Sequence, residues 1–455
     1  MLGKVLHLVK HSSNLHSLLG NMAFTLFSLA TFLLMVRLLA KDVYGQWVIY
    51  VTTTSLLDML RLGLTGTAAI RLLSTAAADN QKHVIASSYH LSIATTVLIA
   101  ILFIGTYLIA GKYIGNSYYL PVLLFYPFLS AANLSYNQAI TLSQGFVDFK
   151  RILAIRIING ALVFFFITGY ILFIGKNLYG IIIAHIAANA LTSMVTMIKR
   201  WDGLQHIRRR HHQTLKQILQ FGKYSTASYI GSNLLRGSDT IIISLSSAMG
   251  ATAVAIYAIP LKFVELAEIP LRSFTATAFP KLSHSYSHNK AKFNYQINLY
   301  LIATTLLLLP GLAILIIFPS FFLHLVGGSQ YADALQLQKE MVYILSGYIL
   351  LLPLDRYSGV ALFAIDKPRV NFVKIMVMLA ANIVFDLIAV FVFQSLLMVV
   401  LASVLFTFAG IFIGWGYLYR ATGYSLRSIP ADLDATLKRI SNRLYNALHG
   451  KRNRQ

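Results

Sequence analysis

Beyond Lys223 at its start, six charged residues lie inside an otherwise apolar stretch between Phe221 and Ala278. They are Arg236, Asp239, Lys262, Glu265, Glu268 and Arg272. The last four are spaced i, i+3, i+6 and i+10, which places them within an arc of about 120° on a helix. A charge that faces lipid near the bilayer centre costs about 2.5–3.5 kcal/mol on insertion scales, so such residues normally face a protein interior or a watery cavity. The spacing therefore predicts a charged helix face that lines a transport cavity.

The residue types in this stretch suit two kinds of chemistry. Arginine offers paired N–H donors to phosphate oxygens, so Arg236, Lys262 and Arg272 are candidate cavity cations for an anionic substrate. Intramembrane carboxylates are natural proton or sodium sites, which makes Asp239, Glu265 and Glu268 candidates for ion coupling. The alternative is that Arg236 with Asp239, Lys262 with Glu265, and Glu268 with Arg272 neutralise each other as structural ion pairs, since i, i+3 and i, i+4 neighbours meet on a helix.

Other charged residues lie in the supporting apolar runs. Arg37 ends the first run, where it either reaches back to the membrane interface or points into the cavity as a further cation. Asp58 is a further candidate cavity carboxylate, although Asp58, Arg61, Asp355 and Arg356 lie towards run ends and could simply pair there. Asp386 and Arg156 are isolated intramembrane charges, and both rank below the central stretch.

The composition is that of a polytopic membrane protein. The 455 residues are 57% hydrophobic and only 12% charged, whereas soluble domains carry about 25% charged residues. The net charge of +23 does not indicate nucleic-acid binding, because the cations alternate with apolar runs. There is no cysteine, and His284 with His288 lacks a third ligand, so no metal site or cofactor beyond a coupling H⁺ or Na⁺ is predicted.

Twelve apolar runs are each long enough to cross about 30 Å of hydrocarbon. They span about 18–39, 44–62, 86–110, 118–142, 153–174, 178–198, 219–246, 253–278, 297–318, 340–363, 371–393 and 396–418. A basic linker divides them six and six. The predicted domains are an interfacial segment 1–17, an N-lobe 18–198, a cytoplasmic linker 199–218, a C-lobe 219–418 and a basic amphipathic tail 419–455.

The distribution of lysine and arginine predicts the orientation. With twelve crossings and both termini in the cytoplasm, 26 of these cations fall in inner segments and four in outer turns. The same asymmetry retains 253–278 as a crossing despite its four charges, because its removal would place every later basic segment outside. We expect a multi-pass protein of the bacterial cytoplasmic membrane.

Four segments of the chain have a familiar pattern: RLLAKDVYGQW (37–47), LLDMLRLGLTGTAAIRL (56–72), LSQGFVDFKRILAIRIINGAL (142–162) and LQFGKYSTASYIGSNLLRGSDTIIISLSSAMGATAVAIYAI (219–259). Together they resemble the polysaccharide transporter family, which includes the Wzx-like O-antigen flippases. That family belongs to the multidrug/oligosaccharidyl-lipid/polysaccharide (MOP) superfamily, together with MATE exporters and MurJ. The resemblance implies an all-α fold of two six-helix lobes in a V shape, with alternating access to a central cavity. It implies as cargo an undecaprenyl-pyrophosphate-linked oligosaccharide that is flipped to the periplasmic leaflet. The positions that match are Arg37, Asp58, Arg236, Asp239 and the charged face of 253–278, which carries more charge than is typical of the family.

Two other functions are alternatives to a flippase. A MATE-like or MurJ-like exporter would keep the fold and change the cargo, although a drug exporter favours acidic and aromatic pockets for cations. A membrane glycan polymerase or ligase needs a sizeable catalytic loop, but the predicted outer connections are short and none of them carries a DxD motif. The chain is therefore predicted to be a monomeric transporter rather than an enzyme, with a lipid-linked oligosaccharide and membrane lipids as its partners.

Overall fold

The computed structural model describes residues 13–425, apart from Ala76 and Asn116. The predicted interfacial segment 1–17 lies largely outside the described residues, and the predicted tail lies beyond them after residue 425. Within them the chain is all-α, without a strand.

The first seven helices are α1 (Ser13–Leu38), α2 (Lys41–Thr75), α3 (Ala78–Ile114), α4 (Leu120–Ala132), α5 (Leu134–Gly145), α6 (Phe149–Phe173) and α7 (Leu178–Ile198). A short 3-10 helix, Leu204–Arg209, follows. The later helices are α8 (His212–Leu245), α9 (Gly250–His288), α10 (Lys290–Ile317), α11 (Pro319–Gly327), α12 (Leu335–Ala364), α13 (Pro368–Leu387) and α14 (Leu396–Thr422).

Each of the twelve predicted apolar runs coincides with helix in the described residues. The run 118–142 is divided into two helices at Asn133, whose side-chain amide donates to Asp58 Oδ2 at 2.8 Å. The turn predicted between 246 and 253 is present, with Gly250 in the left-handed region at φ +62°. Pro260, Pro270 and Pro280 all lie inside α9 without ending it.

Seven helices of the described chain are long and apolar enough to cross a membrane by length and composition. The helices outside that set include α2, α8 and α9, which carry most of the candidate charges. Large apolar side chains such as Ile101, Leu108 and Ile109 of α3 lie exposed on the protein surface, as expected where a helix meets lipid tails. The chain is an all-α, multi-pass membrane protein.

The first compact unit comprises residues 1–256 together with 326–331. Within it α1 packs along α6, α6 along α7, and α2 along α8. The 3-10 helix of the linker packs on α3, where the fully buried Asp202 accepts hydrogen bonds from Tyr89 Oη (3.3 Å) and Leu204 N (3.2 Å). The linker is therefore folded against the helices up to this point. The division into lobes at 199–218 remains a prediction.

The second compact unit comprises residues 257–325 and 332–455. Its described helices pack α12 against α14, α13 against α14, and α10 against α12. Glycine permits the closest of these contacts, since a Cβ on Gly414 would lie 2.5 Å from Ser358 Oγ and one on Gly410 would lie 2.3 Å from Met378 Sδ. Both distances are shorter than van der Waals contact, so α14 can approach α12 and α13 this closely only without side chains there.

Candidate functional site

The charged face of α9 forms the two ion pairs that its spacing permits. Lys262 Nζ lies 2.6 Å from Glu265 Oε2, and Arg272 Nη2 lies 2.6 Å from Glu268 Oε2. The Glu265 side chain is 60% exposed, whereas that of Glu268 is 9% exposed. The first pair is thus a surface pair of small energetic weight, and the second is anchored by a buried carboxylate.

Glu268 also binds a second arginine from another helix. Arg356 Nη2 of α12 donates to Glu268 Oε1 at 2.7 Å, so each carboxylate oxygen holds one guanidinium. The Arg272 and Arg356 side chains are 56% and 38% exposed, so both cations remain accessible while their common carboxylate is buried. We call Glu268, Arg272 and Arg356 the arginine clamp. Its formal charge is +1, and guanidinium groups arranged in this way are suited to phosphate or carboxylate ligands.

A second buried ion pair of the same unit joins α12 to α13. Lys374 Nζ lies 2.7 Å from Asp355 Oδ1 and donates to Asp355 O and Ser358 Oγ, each at 2.8 Å. Lys374 is not among the site residues predicted from the sequence. Its position as the only cation within the apolar run 371–393 could have indicated a buried ion pair. Asp355 and Arg356, considered together as run-end charges, take their partners from different helices.

Two backbone carbonyls of α12 accept side-chain hydrogen bonds from neighbouring helices. Trp415 Nε1 of α14 donates to Leu354 O at 3.0 Å, and Lys374 Nζ donates to Asp355 O at 2.8 Å. A carbonyl oxygen has two lone pairs, so it can accept such a bond in addition to the one from its own helix. Side chains from α13 and α14 therefore hold this part of α12.

The first unit contains its own buried ion pair, at the junction of α2, α3 and α4. Arg61 Nη2 lies 3.0 Å from Asp58 Oδ1, so these two residues do pair, and Arg61 is only 2% exposed. Tyr126 Oη donates to Asp58 Oδ1 at 3.1 Å, and Asn133 donates to the other oxygen. Arg61 Nη1 donates to Thr96 Oγ1 at 2.8 Å and to a backbone carbonyl of α4 at 2.9 Å. These contacts indicate that Arg61 has a structural role in joining the helices. The Asp58 carboxylate is the more exposed member of the pair.

The helix ends 38–47, 118–119, 241–251 and 326–331 meet within the first unit, and we call them the turn cluster. Tyr119 Oη and Ser244 Oγ form a hydrogen bond of 2.6 Å, and Gln330 Nε2 donates to Leu39 O. Gly45 of α2 lies so close to α9 that a Cβ there would be 1.8 Å from Ala251 O. The cluster is closed in this structure.

The remaining predicted site residues lie outside the arginine clamp and the two buried ion pairs. Arg37 is exposed in the last turn of α1, and Asp239 is 6% exposed within α8. Arg236 also lies on α8, but its side chain is outside the described set. The described residues contain no group of three or more His, Cys, Asp or Glu side chains that could hold a metal ion.

Comparison with known proteins bears on the family and the fold. A family model described as a polysaccharide biosynthesis protein matches residues 34–336. No curated protein matches the chain significantly.

Three solved transporters resemble this structure. The inward-facing conformation of a multidrug resistance MATE family transporter of the MOP superfamily matches with a TM-score of 0.70 at 16% identity, covering 87% of this chain and 95% of the other. The lipid II flippase MurJ, in an inward closed conformation, matches with a TM-score of 0.70 at 14% identity, covering 89% and 87%. A MOP superfamily transporter from Pyrococcus furiosus, described as having a binding pocket of reverse polarity, matches with a TM-score of 0.63 at 16% identity, covering 89% and 94%. At these identities the likeness establishes the transporter fold.

Proposed function

Because the chain belongs to the polysaccharide biosynthesis protein family and has the fold of MOP superfamily transporters, we propose that it flips a polyprenyl-pyrophosphate-linked oligosaccharide across the bacterial cytoplasmic membrane. The family and the fold support a role as a transporter or flippase. The cargo, the direction and the alternating-access cycle belong to the proposal.

The arginine clamp is the observation that carries the proposed cargo. A pyrophosphate group carries several negatively charged oxygens, and guanidinium donors bind such oxygens in pairs. Arg272 and Arg356 each give one terminal nitrogen to Glu268 and keep further N–H donors on a partly exposed side chain. Since Glu268 holds both guanidiniums in place before the anion arrives, less side-chain entropy is lost on binding.

The other candidate residues complete the proposal. Arg37, Arg236 and Lys262 are further cations for the anionic cargo, and Asp58, Asp239 and Glu265 are carboxylates for an ion-coupling step driven by H⁺ or Na⁺. We place both termini and the basic linker in the cytoplasm, which puts the turn cluster on the periplasmic side. The closed turn cluster then corresponds to a state whose periplasmic side is shut, and the protein is proposed to act as a monomer without catalysing a covalent reaction.

Surface glycan display tests the role of the arginine clamp. In a host whose own transporter has been deleted, Arg272→Ala and Arg356→Ala are combined with Glu268→Gln, so that no buried carboxylate is left unpaired. This triple variant should abolish glycan display and cause the lipid-linked oligosaccharide to accumulate, while protein abundance stays normal. Arg369→Ala removes an exposed cation from the same unit and serves as the matched control, with display expected at the wild-type level. Normal display by the triple variant would eliminate the clamp as the cargo site.

The same strains distinguish the cargo classes. A drug exporter would leave glycan display unaffected by deletion of the gene and would change resistance to cationic drugs instead. A glycan polymerase would alter chain length while the oligosaccharide still reached the periplasmic leaflet. Either pattern would replace the flippase proposal.

A further inference from the structure

Three oxygen atoms surround the ammonium group of Lys374. They are Asp355 Oδ1 at 2.7 Å, the Asp355 carbonyl oxygen at 2.8 Å and Ser358 Oγ at 2.8 Å. A carboxylate, a backbone carbonyl and a hydroxyl form the kind of ligand set that hard cations take in proteins, and membrane transporters bind coupling ions with such groups at weakened helix segments. We propose that the Lys374 ammonium is the tethered occupant of a monovalent-cation site.

The hydroxyl of Ser358 is oriented as a cation ligand. Ser358 Oγ donates its own hydrogen to Asp355 O at 2.8 Å, so towards Lys374 it can act only as an acceptor. Every contact described for the ammonium is therefore with an oxygen lone pair. The same arrangement would bind a free cation and would repel an anion.

The site is buried, and two glycines border it. Lys374 is 2% exposed, Ser358 is fully buried, and Asp355 is 7% exposed. A Cβ on Gly414 would lie 3.5 Å from Lys374 Cδ, and one on Gly359 would lie 3.9 Å from Lys374 Nζ, both at ordinary van der Waals distance. Truncation of the lysine would leave a buried, oxygen-lined space whose carboxylate has lost its direct ion-pair partner and keeps only a longer-range interaction with Arg356. Such a carboxylate is strongly destabilising unless another cation takes the place of the ammonium.

The consequence is a dependence on free cations that the wild-type protein lacks. While the tethered ammonium fills the site, no ion from solution is needed there. In Lys374→Ala the site becomes available to Na⁺ or K⁺, and a ligand that binds only the folded state raises its stability. The prediction concerns ion binding alone and holds whatever the cargo, so it can fail or succeed separately from the flippase proposal.

Thermal unfolding of the purified full-length protein tests the proposal. The midpoint temperature of unfolding is compared in NaCl, KCl and N-methyl-D-glucamine chloride, each at an ionic strength of about 0.15 M. N-methyl-D-glucamine serves as the reference because it is too large for the site. When Na⁺ or K⁺ replaces N-methyl-D-glucamine, we expect the K374A midpoint to rise by about 3 °C or more above the change measured for wild type. Na⁺ binding at other carboxylates would affect both proteins equally. Lys374→Ser adds a hydroxyl ligand and should respond at least as strongly.

Two matched variants separate ion binding from a packing effect. Lys374→Met fills the space with an apolar chain of similar length, and K374A combined with Asp355→Asn removes the negative charge. In neither variant should Na⁺ or K⁺ raise the unfolding midpoint more than it does in wild type. The proposal is overturned if K374A and K374S unfold at the same temperature in all three salts, if wild type responds as K374A does, or if K374A cannot be recovered folded in any salt.

Discussion

Replacement of Gly45 by alanine should open the turn cluster. The new Cβ would lie 1.8 Å from Ala251 O and 2.5 Å from the Ala251 carbonyl carbon, both of which are backbone atoms that no rotamer change can move. Ordinary carbon-to-oxygen contacts are about 3.3 Å or longer, so α2 and the start of α9 must separate by about 1.5 Å. The closed cluster cannot accommodate the methyl group as it stands.

The cost of the extra methyl group can be estimated from overpacking in general. Forced insertions of this kind destabilise a packed contact by about 1–3 kcal/mol. A state in which the turn cluster is open does not carry this cost. Since 1.4 kcal/mol corresponds to a factor of ten in an equilibrium, the open population should increase by roughly fivefold to 150-fold.

The absence of cysteine from the sequence makes the assay direct. Ser246 lies in the turn between α8 and α9 and is 5% exposed, so Ser246→Cys places a nearly isosteric, buried thiol in the cluster. Labelling of this thiol by a membrane-impermeant maleimide should be about fivefold faster or more in G45A than in the Gly45 background.

A matched glycine separates this clash from general helix effects. Gly105 of α3 has no neighbouring atom within 4 Å of its ideal Cβ position, so Gly105→Ala should leave the labelling rate of the introduced thiol unchanged. Equal rates in G45A and G105A, with normal folding of both, would refute the reasoning that the α2–α9 contact keeps the cluster closed.

Three further predictions concern stability and coupling. Arg61→Met should lower the free energy of unfolding by about 3 kcal/mol, because Asp58 loses its buried partner, and Asp58→Asn in the same chain should restore part of the loss in a denaturant titration. Gly414→Ala should lower it by about 1–3 kcal/mol through a clash with the serine of α12, whereas Gly416→Ala, with no atom within 4 Å of its Cβ position, should not. Glu265→Gln should change the free energy of unfolding by less than about 1 kcal/mol, because the ion pair is exposed. If this carboxylate couples ions, the substitution should also flatten the pH or Na⁺ dependence of transport in vesicles. An unchanged dependence would remove Glu265 from the coupling site.

The helices and the pairs within one helix could be predicted from the sequence. Length and hydrophobicity define each apolar run because a membrane helix must satisfy its backbone internally. The i, i+3 and i, i+4 spacing of the α9 charges likewise predicts the Lys262–Glu265 and Glu268–Arg272 pairs, since such neighbours lie on one face.

Pairs between helices could not be predicted in this way. Asp355 and Arg356 are adjacent in sequence, so their side chains point about 100° apart on the helix and meet different neighbours. One pairs with Lys374 of α13 and the other with Glu268 of α9. That choice depends on which helices pack together and at what register, and a single sequence does not contain this information. The G-x-x-x-G spacing of Gly410 and Gly414 does indicate helix packing, and both glycines lie at close helix contacts. The spacing does not show which helices they meet.

The folded linker has a consequence for limited proteolysis. Asp202 is buried against Tyr89, and the side chains of Arg208, Arg209 and Arg210 are exposed a few residues later. The backbone beside these arginines is nevertheless held on α3, where His83 Nδ1 lies 2.8 Å from Arg209 O and His211 N donates to Ser87 Oγ at 3.3 Å. Trypsin acts on backbone that can be drawn out of the folded protein, so it should cut after these three arginines only slowly in the native protein, despite their exposure.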